Sequence, residues 1–373
     1  MPTAKSSVKG KHPVRVGVVG CGQMGCKHAC NCSQIEGVTV VAVADKDMTR
    51  ARAFAKEMVA VPYKSAEALV AGIDIDALIV ATPPDEHGRD AHAAIKAGKA
   101  VLVEKPIALD ITTAKSLCVA ARKASVVNAV GFHLRYAPLT QKARSLIAGK
   151  RVTQVRSVTT TGYYLKMDMP AWFLQRQHSG GPLLEQSLHM FDEARYLVGD
   201  ITHVFAQGDR LVRPELSEFD SEDTMVLAYR FANGALGTHA DSCATTVFNW
   251  EIELFGVDWR LLIDYARKRL NGYFGEETIQ IDFPDTDLHM LELQAFIDDV
   301  RNRRIGSILS DFRDATKTLE VMLAGDKSLK SDAWEPVGKG SRSGRNTDNK
   351  MMVAVDNPAN MRRYFASQAP RCE

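Results

Sequence analysis

Short apolar runs alternating with amphipathic stretches occupy the first third of the chain. Arg15-Val-Gly-Val-Val-Gly20 is β-branched and ends in glycine, and residues 39–44 repeat the pattern. Ala77-Leu-Ile-Val-Ala81 and Lys99-Ala-Val-Leu-Val103 are a third and a fourth run, and residues 124–131 supply another. Near-continuous apolarity suits strands buried on both faces. One helix fits after Gly20, and residues 47–58, 67–71, 86–97 and 114–124 have helical length and polarity. Strands alternating with helices predict a doubly wound parallel α/β sheet over residues 13–133.

Beyond residue 133 the alternation changes. Residues 152–165, 202–212, 224–231, 235–241, 250–255 and 260–265 carry partial period-two alternation and read as successive strands. Ala232-Asn-Gly-Ala235 predicts a type I′ hairpin turn, with positive φ at both central residues. Strands in series imply an open, mostly antiparallel sheet. Helices are expected near 138–148 and 182–197 within it, and near 288–303 and 312–324 after it. Residues 134–330 are therefore expected to form an α+β domain holding the substrate. An open sheet exposes a broad face, so self-association into a homo-oligomer through that sheet is expected as well. Residues 331–373 read as an extension with a polar loop at 338–350 and an apolar, aromatic stretch at 351–365 able to dock.

The chain has 373 residues, enough for about two domains under a prior of roughly 150 residues each. Forty-seven basic against 45 acidic residues leave a formal charge of +2 with no dense basic block, which argues against nucleic acid as partner. No run approaches the roughly 18 apolar residues of a membrane span. Residues 1–12 are expected to be a disordered basic tail without the apolar core of a signal peptide, so cytoplasmic residence is expected. Of seven cysteines, Cys21, Cys26, Cys30 and Cys32 crowd one segment but lack paired CxxC blocks; reduced thiols and no metal are expected.

Gly20-Cys-Gly-Gln-Met-Gly25 fits G-x-G-x-x-G after a strand and at the start of a helix, the context this motif needs. Gly20 permits a tight turn, Gly22 lets backbone approach a pyrophosphate, and Gly25 allows close helix–strand packing, with Gln23 and Met24 between them. Asp45 closes the second strand, where a carboxylate accepts from ribose hydroxyls. Its charge opposes a 2′-phosphate and favours NAD, while Lys46 and Arg50 leave NADP possible.

Glu104-Lys-Pro106 follows the fourth strand, so Lys105 emerges at the carboxyl edge of the sheet, where open α/β folds bind ligands. In Gly180-Gly-Pro-Leu-Leu-Glu-Gln-Ser-Leu-His-Met-Phe-Asp192, Glu185 and His189 are four apart and share one helical face. A carboxylate and an imidazole so placed can share a proton path, with Asp192 fixing the ring tautomer. The bland alternative is a surface pair. Arg135, Tyr136, Tyr163, Tyr164, Trp172 and His178 lie near the junction or before this helix, where rings with polar tips suit a sugar; Arg135, Tyr163 and Trp172 are singled out as substrate contacts beside Lys105, Glu185 and His189. His87, at a helix start, reads first as a cap.

In order along the chain, Gly20 to Gly25, Val43-Ala-Asp45, Ala81-Thr-Pro-Pro84 with His87, Glu104-Lys-Pro-Ile-Ala-Leu-Asp110, Gly131-Phe-His-Leu-Arg-Tyr136 with Pro138, and Gly180-Gly to His189 resemble the Gfo/Idh/MocA oxidoreductases over about residues 13–330. The resemblance implies a Rossmann domain followed by an open-sheet domain, NAD(P) as cofactor, and hydride transfer at one carbon of a sugar, sugar derivative or cyclitol. It maps a hydroxyl-contacting lysine onto Lys105 and a general base onto His189. Where the family commonly has aspartate four residues before that histidine, this chain has Glu185. Thr82, Pro83, His87, Glu104 and Lys105 join the glycine loop and Asp45 as expected dinucleotide contacts. Two alternatives stand beside a sugar or polyol dehydrogenase: an NAD-dependent enzyme that cleaves glycosides by transient oxidation and elimination, and a non-catalytic dinucleotide-binding regulator.

Overall fold

In a computed structural model the described residues are 13–165, 169–212 and 219–338. The expected tail at 1–12, all but the first residue of the polar loop at 338–350, and the stretch at 351–365 lie outside them. Within the first apolar run Val16 and Val18 are fully buried, and the strand they form, β1 (Val14–Val19), lies central in a six-stranded parallel sheet. Its companions are β2 (Val38–Ala44), β3 (Val61–Tyr63), β4 (Ala77–Val80), β5 (Ala100–Val103) and β6 (Asn128–Val130), in the order β3-β2-β1-β4-β5-β6. The crossover helices are α1 (Gln23–Gln34), α2 (Met48–Met58), α3 (Ala66–Gly72), α4 (His87–Lys96) and α5 (Ile111–Ala124). Side-chain caps set three of them: Asp47 accepts from Thr49 and Arg50, Ser65 from Ala68, and Asp110 from Thr113. β3 escapes the sequence reading because three residues with a central proline carry too little periodicity.

After a turn of 3-10 helix at His133–Tyr136 and helix α6 (Pro138–Leu146), the second sheet begins with β7 (Gln154–Thr160), ending five residues before the expected boundary. Two single-turn helices, α7 (Ala171–Leu174) and α8 (Arg176–Ser179), precede a π-helical turn at Leu183–Ser187 and α9 (Leu188–Val198). The single helix expected over 182–197 is thus interrupted, and it is buried all round rather than along one stripe. Strands β8 (Ile201–Asp209), β9 (Thr224–Phe231), β10 (Leu236–Ser242), β11 (Asn249–Phe255), β12 (Trp259–Asp264), β13 (Arg269–Phe274) and β14 (Glu277–Asp282) follow. Helices α10 (Leu288–Asn302) and α11 (Phe312–Ser331) and the short β15 (Glu335–Pro336) close the described chain.

The nine strands run β14-β13-β12-β11-β7-β10-β9-β8-β15. All pairs are antiparallel except β10 with β7, so the sheet is mixed. β15 joins its edge beside β8, which takes Glu335 and Pro336 out of the expected extension and into the sheet. The β9–β10 turn differs from type I′. Gly234 has φ +90° but Asn233 is not among the positive-φ residues, and Gly234 N donates to Phe231 O while Phe231 N donates to Ala235 O. That is a three-residue loop with one left-handed glycine, which meets the same twist requirement with a single positive φ. Helix α10 returns to the first sheet, where Leu293, Phe296 and Ile297 pack with Val16, Val18 and Val40.

Candidate functional site

The glycine loop joins β1 to α1. Gly20 has φ +91°, and a Cβ there would sit 2.3 Å from Ala81 O; a Cβ at Gly25 would sit 1.7 Å from Gly20 O. Both positions therefore exclude side chains, and Gly20 ties the loop to the Ala81-Thr82 turn after β4. A Cβ on Gly22 would meet nothing within 4 Å, leaving an open hollow before a helix whose first turn has no side-chain cap and no acid. Unsatisfied N–H groups and the positive end of a helix dipole at such a hollow fit a phosphate. Gln23 is exposed and Met24 half-buried in that first turn.

Asp45 is buried at the end of β2; its carboxylate accepts from Cys21 N at 2.9 Å and Asp47 N at 2.8 Å and faces Arg50 Nη1 at 3.3 Å. Lys46 is paired with Glu86 at 2.9 Å. Both cations beside the acid are thus engaged by carboxylates. Thr82 Oγ1 donates to Asp90 at 2.9 Å, and Pro83 O accepts from Glu86 N, which stiffens the turn facing the glycine loop. Glycine hollow, helix end and acid together suit a dinucleotide.

At the same carboxyl edge Lys105 Nζ donates to Glu185 Oε2 at 2.6 Å and to Glu185 O at 3.0 Å, linking the end of β5 to the π-helical turn. His189 begins the second residue of α9 and is buried; its ring lies 5.1 Å from His133 and 5.0 Å from Trp250, both edge-on. His133 in turn stacks on His289 at 4.2 Å. Glu104 is held by His28 Nε2 at 2.7 Å and accepts from Lys105 N at 3.2 Å, so it braces the lysine loop.

Burial dominates the charge states. It drives His189 well below its ordinary value, aided by Lys105, His133 and His289, and pushes His133 down to about 3. Burial raises Glu185, which Lys105 partly offsets. Burial also acts to raise Glu104, but the His28 hydrogen bond and the neighbouring cations outweigh it and hold the carboxyl at about 2. A neutral imidazole near an ammonium–carboxylate pair can accept a proton while the cation steadies an oxyanion. Among the described residues no three His, Cys, Asp or Glu side chains form a metal-holding group.

Residues 14–132 match the oxidoreductase family with an NAD-binding Rossmann fold, and residues 140–260 match the GFO/IDH/MocA C-terminal domain. The scyllo-inositol 2-dehydrogenase (NAD(+)) of Bacillus subtilis is 30% identical over 337 residues, covering 86% of this chain and 95% of that protein. The chain belongs to the Gfo/Idh/MocA oxidoreductases. The myo-inositol 2-dehydrogenase of Thermotoga maritima is 28% identical over 327 residues, covering 85% of this chain and 96% of its own. In fold, the chain superposes on a levoglucosan dehydrogenase solved with NADH and levoglucosan with a TM-score of 0.81 at 21% identity, covering 88% and 100% of the two chains.

Within this Gfo/Idh/MocA chain several expected contacts are engaged elsewhere. Arg135, expected to touch substrate, is 3% exposed; it pairs with Asp192 at 2.7 Å and Asp314 at 2.6 Å and donates to Leu309 O. Asp192 also accepts from Thr318, so it does not orient His189, whose Nδ1 has no partner. The reason is chemical: the Arg135 guanidinium takes both oxygens of the Asp192 carboxylate and outcompetes a neutral ring for it. His87, expected at the dinucleotide, is buried with its nitrogens 2.7 Å from Pro106 O and Thr82 O, a brace between the two loops. Tyr163 and Trp172 each pack on Phe173, in a cluster with Phe219 and Cys243. His178 reaches across to Asp85 at 2.6 Å. His133, Trp250 and His289 were not singled out. His133 had a usable signal, since it follows β6 at the edge that carries ligands; Trp250 and His289 had none.

Proposed function

We propose that this protein is an NAD-dependent dehydrogenase that oxidises one hydroxyl-bearing carbon of a sugar, sugar derivative or cyclitol, or reduces the corresponding carbonyl. The observation that carries the reading is the Lys105–Glu185 pair beside a buried, neutral His189 at the same sheet edge as the glycine hollow. The related inositol dehydrogenases support the substrate class. Gly20, Gly22, Gln23, Met24 and Gly25 hold the pyrophosphate, Asp45 the adenosine ribose, and Thr82 with Pro83 the facing wall. NAD⁺, when bound, supplies a hydride acceptor. Lys105 donates to the reacting oxygen and stabilises its negative charge, Glu185 keeps that ammonium in register, and His189 accepts the hydroxyl proton. Because Arg50 and Lys46 are spent on Asp45 and Glu86, NAD is favoured over NADP.

The free cysteines among the described residues fit a cytoplasmic setting. Exposed Val226, Leu236 and Tyr273 on the second sheet fit self-association through that face, and light scattering at micromolar protein is expected to give more than one chain per particle. No described helix is long and apolar enough to cross a membrane. The functional test is a panel of hexoses, sugar acids, amino sugars, inositols and glycosides read by NAD⁺ reduction, with Lys105→Ala as blank. NADH formation from at least one polyol is expected; glycoside cleavage with no NADH overturns the reading in favour of the transient-oxidation cycle.

A further inference from the structure

The proposed chemistry, on which this inference rests, returns one proton to water for every alcohol oxidised. The alcohol loses its carbon-bound hydrogen with two electrons to NAD⁺ and its hydroxyl proton to His189. Among the described residues no carboxylate stands behind the ring to receive that proton. His189 is 4% exposed, its Nδ1 is unpartnered, and Asp192 is held by Arg135 and Thr318. Among the described residues two aromatic rings meet His189: Trp250, whose indole N–H donates only, and His133. His133 lies against His289 with centroids 4.2 Å apart and an interplanar angle of 26°. His289 stands in the first turn of α10, its side chain one-quarter exposed and 4.0 Å from Asp287, a surface carboxylate paired with Lys27. His28 also approaches His289, at 6.1 Å, but is bonded to buried Glu104, so that branch turns inward.

We infer that His133 and His289 form the exit through which the proton taken by His189 reaches solvent. The N–H bond on His189 breaks as one forms on a His133 nitrogen. Rings stacked face to face do not aim their nitrogens at each other, so a bridging water or a rotation of His289 serves the second hop. His289 then releases the proton to water beside Asp287. No electrons move along this path, and in the reductive direction the same groups deliver the proton inward. Burial lowers all three rings; Lys105 and the neighbouring imidazoles add to it at His189 and His133, and His28 and Lys27 at His289, against Glu104 at His133 and His289 and Asp287 at His289, so none of them retains the proton. The competing acceptor is Glu185, which burial raises but whose contacts, Lys105 and the π-helical turn, lead to no comparable surface group.

The test uses the full chain, NAD⁺ and the best polyol from the panel, and follows NADH absorbance together with a pH-indicator dye in a single turnover. In His133→Phe and His289→Ala proton release is expected to lag behind the NADH burst, where the wild type releases the two together. Steady-state kcat should fall about 10-fold to 100-fold with KM within about two-fold, and added imidazole buffer should restore His289→Ala. His289 lies at the surface, so that variant remains informative where His133→Phe fails to fold. Unchanged proton release in His289→Ala, or NADH and proton slowing together with a raised KM in His133→Phe, overturns the exit. The underlying reading fails separately, by His189→Ala forming NADH at the wild-type rate.

Discussion

The nucleotide hollow and the cluster around His189 meet the same carboxyl edge of the first sheet but are built from different material. The hollow is backbone: it depends on side chains being missing at Gly20, Gly22 and Gly25 and on a free helix end, all within a few residues. The cluster is side chain. Lys105, His133, Glu185, Trp250 and His289 reach it from five separate elements; Trp250 packs edge-on against the imidazole, and the ionisable members shift one another's charge states. The first region offers little to tune, and its one titratable loop side chain, the Cys21 thiol, is pushed up to about 12 by burial. The second is adjustable at every member and responds to pH.

The largest effect is expected where the second region performs chemistry. His189→Ala and Lys105→Ala should each lower kcat by about 10²-fold to 10⁴-fold while NADH affinity stays near wild type by fluorescence titration, because the hollow does not depend on them. Wild-type turnover in either variant removes the role assigned to that residue. A smaller effect isolates the first region. Gly22→Ala adds a methyl that meets no protein atom within 4 Å, so the unfolding midpoint should hold while NADH binding weakens about ten-fold, or ~1.4 kcal/mol. Undiminished NADH affinity means that the hollow is not the phosphate site.

The smallest expected effect is on stability against pH. His133 titrates near 3 in the fold and near 6.5 when exposed, so between those values the unfolded chain holds a proton that the native chain does not. Its contribution is complete above pH 6.5 and declines as pH falls towards 3. His189 and His289 are lowered as well and act in the same sense. Replacing His133 by Phe should therefore flatten the decline in urea-derived stability between pH 6 and 5 by up to about 1.4 kcal/mol per pH unit. An unaltered slope shows that His133 is not buried in its neutral form.

Why the sequence discloses one region better than the other follows from this contrast. A backbone hollow leaves its requirements in consecutive letters, so Gly20 to Gly25 after a valine-rich strand is legible, as is Asp45 at the next strand end. Lys105 is legible for the same reason, since strand ends can be read. The partners of His189 cannot be read that way. His289 lies a hundred residues from it, and α10 looks like an ordinary amphipathic helix until it folds back against β1. Spacing also misleads. Asp192, three residues from His189, goes to Arg135, a choice decided by a residue 57 positions away. The missed β13 is broken at its centre by Asn271-Gly272, and the missed β14 offers two apolar residues, Ile279 and Ile281, as its alternation.

The π-helical turn at Leu183–Ser187 has an evolutionary side. Such a turn holds one residue more than a regular one, so losing a single codon there would relax it. The flanking residues would keep their phase, because the turn itself absorbs the extra residue, and only the side chains inside it would be re-aimed. Glu185 would swing off the ammonium while His189, anchored in the regular helix behind it, stayed in place. A one-residue deletion is thus a short mutational path from this carboxylate geometry to a different one, with the imidazole untouched.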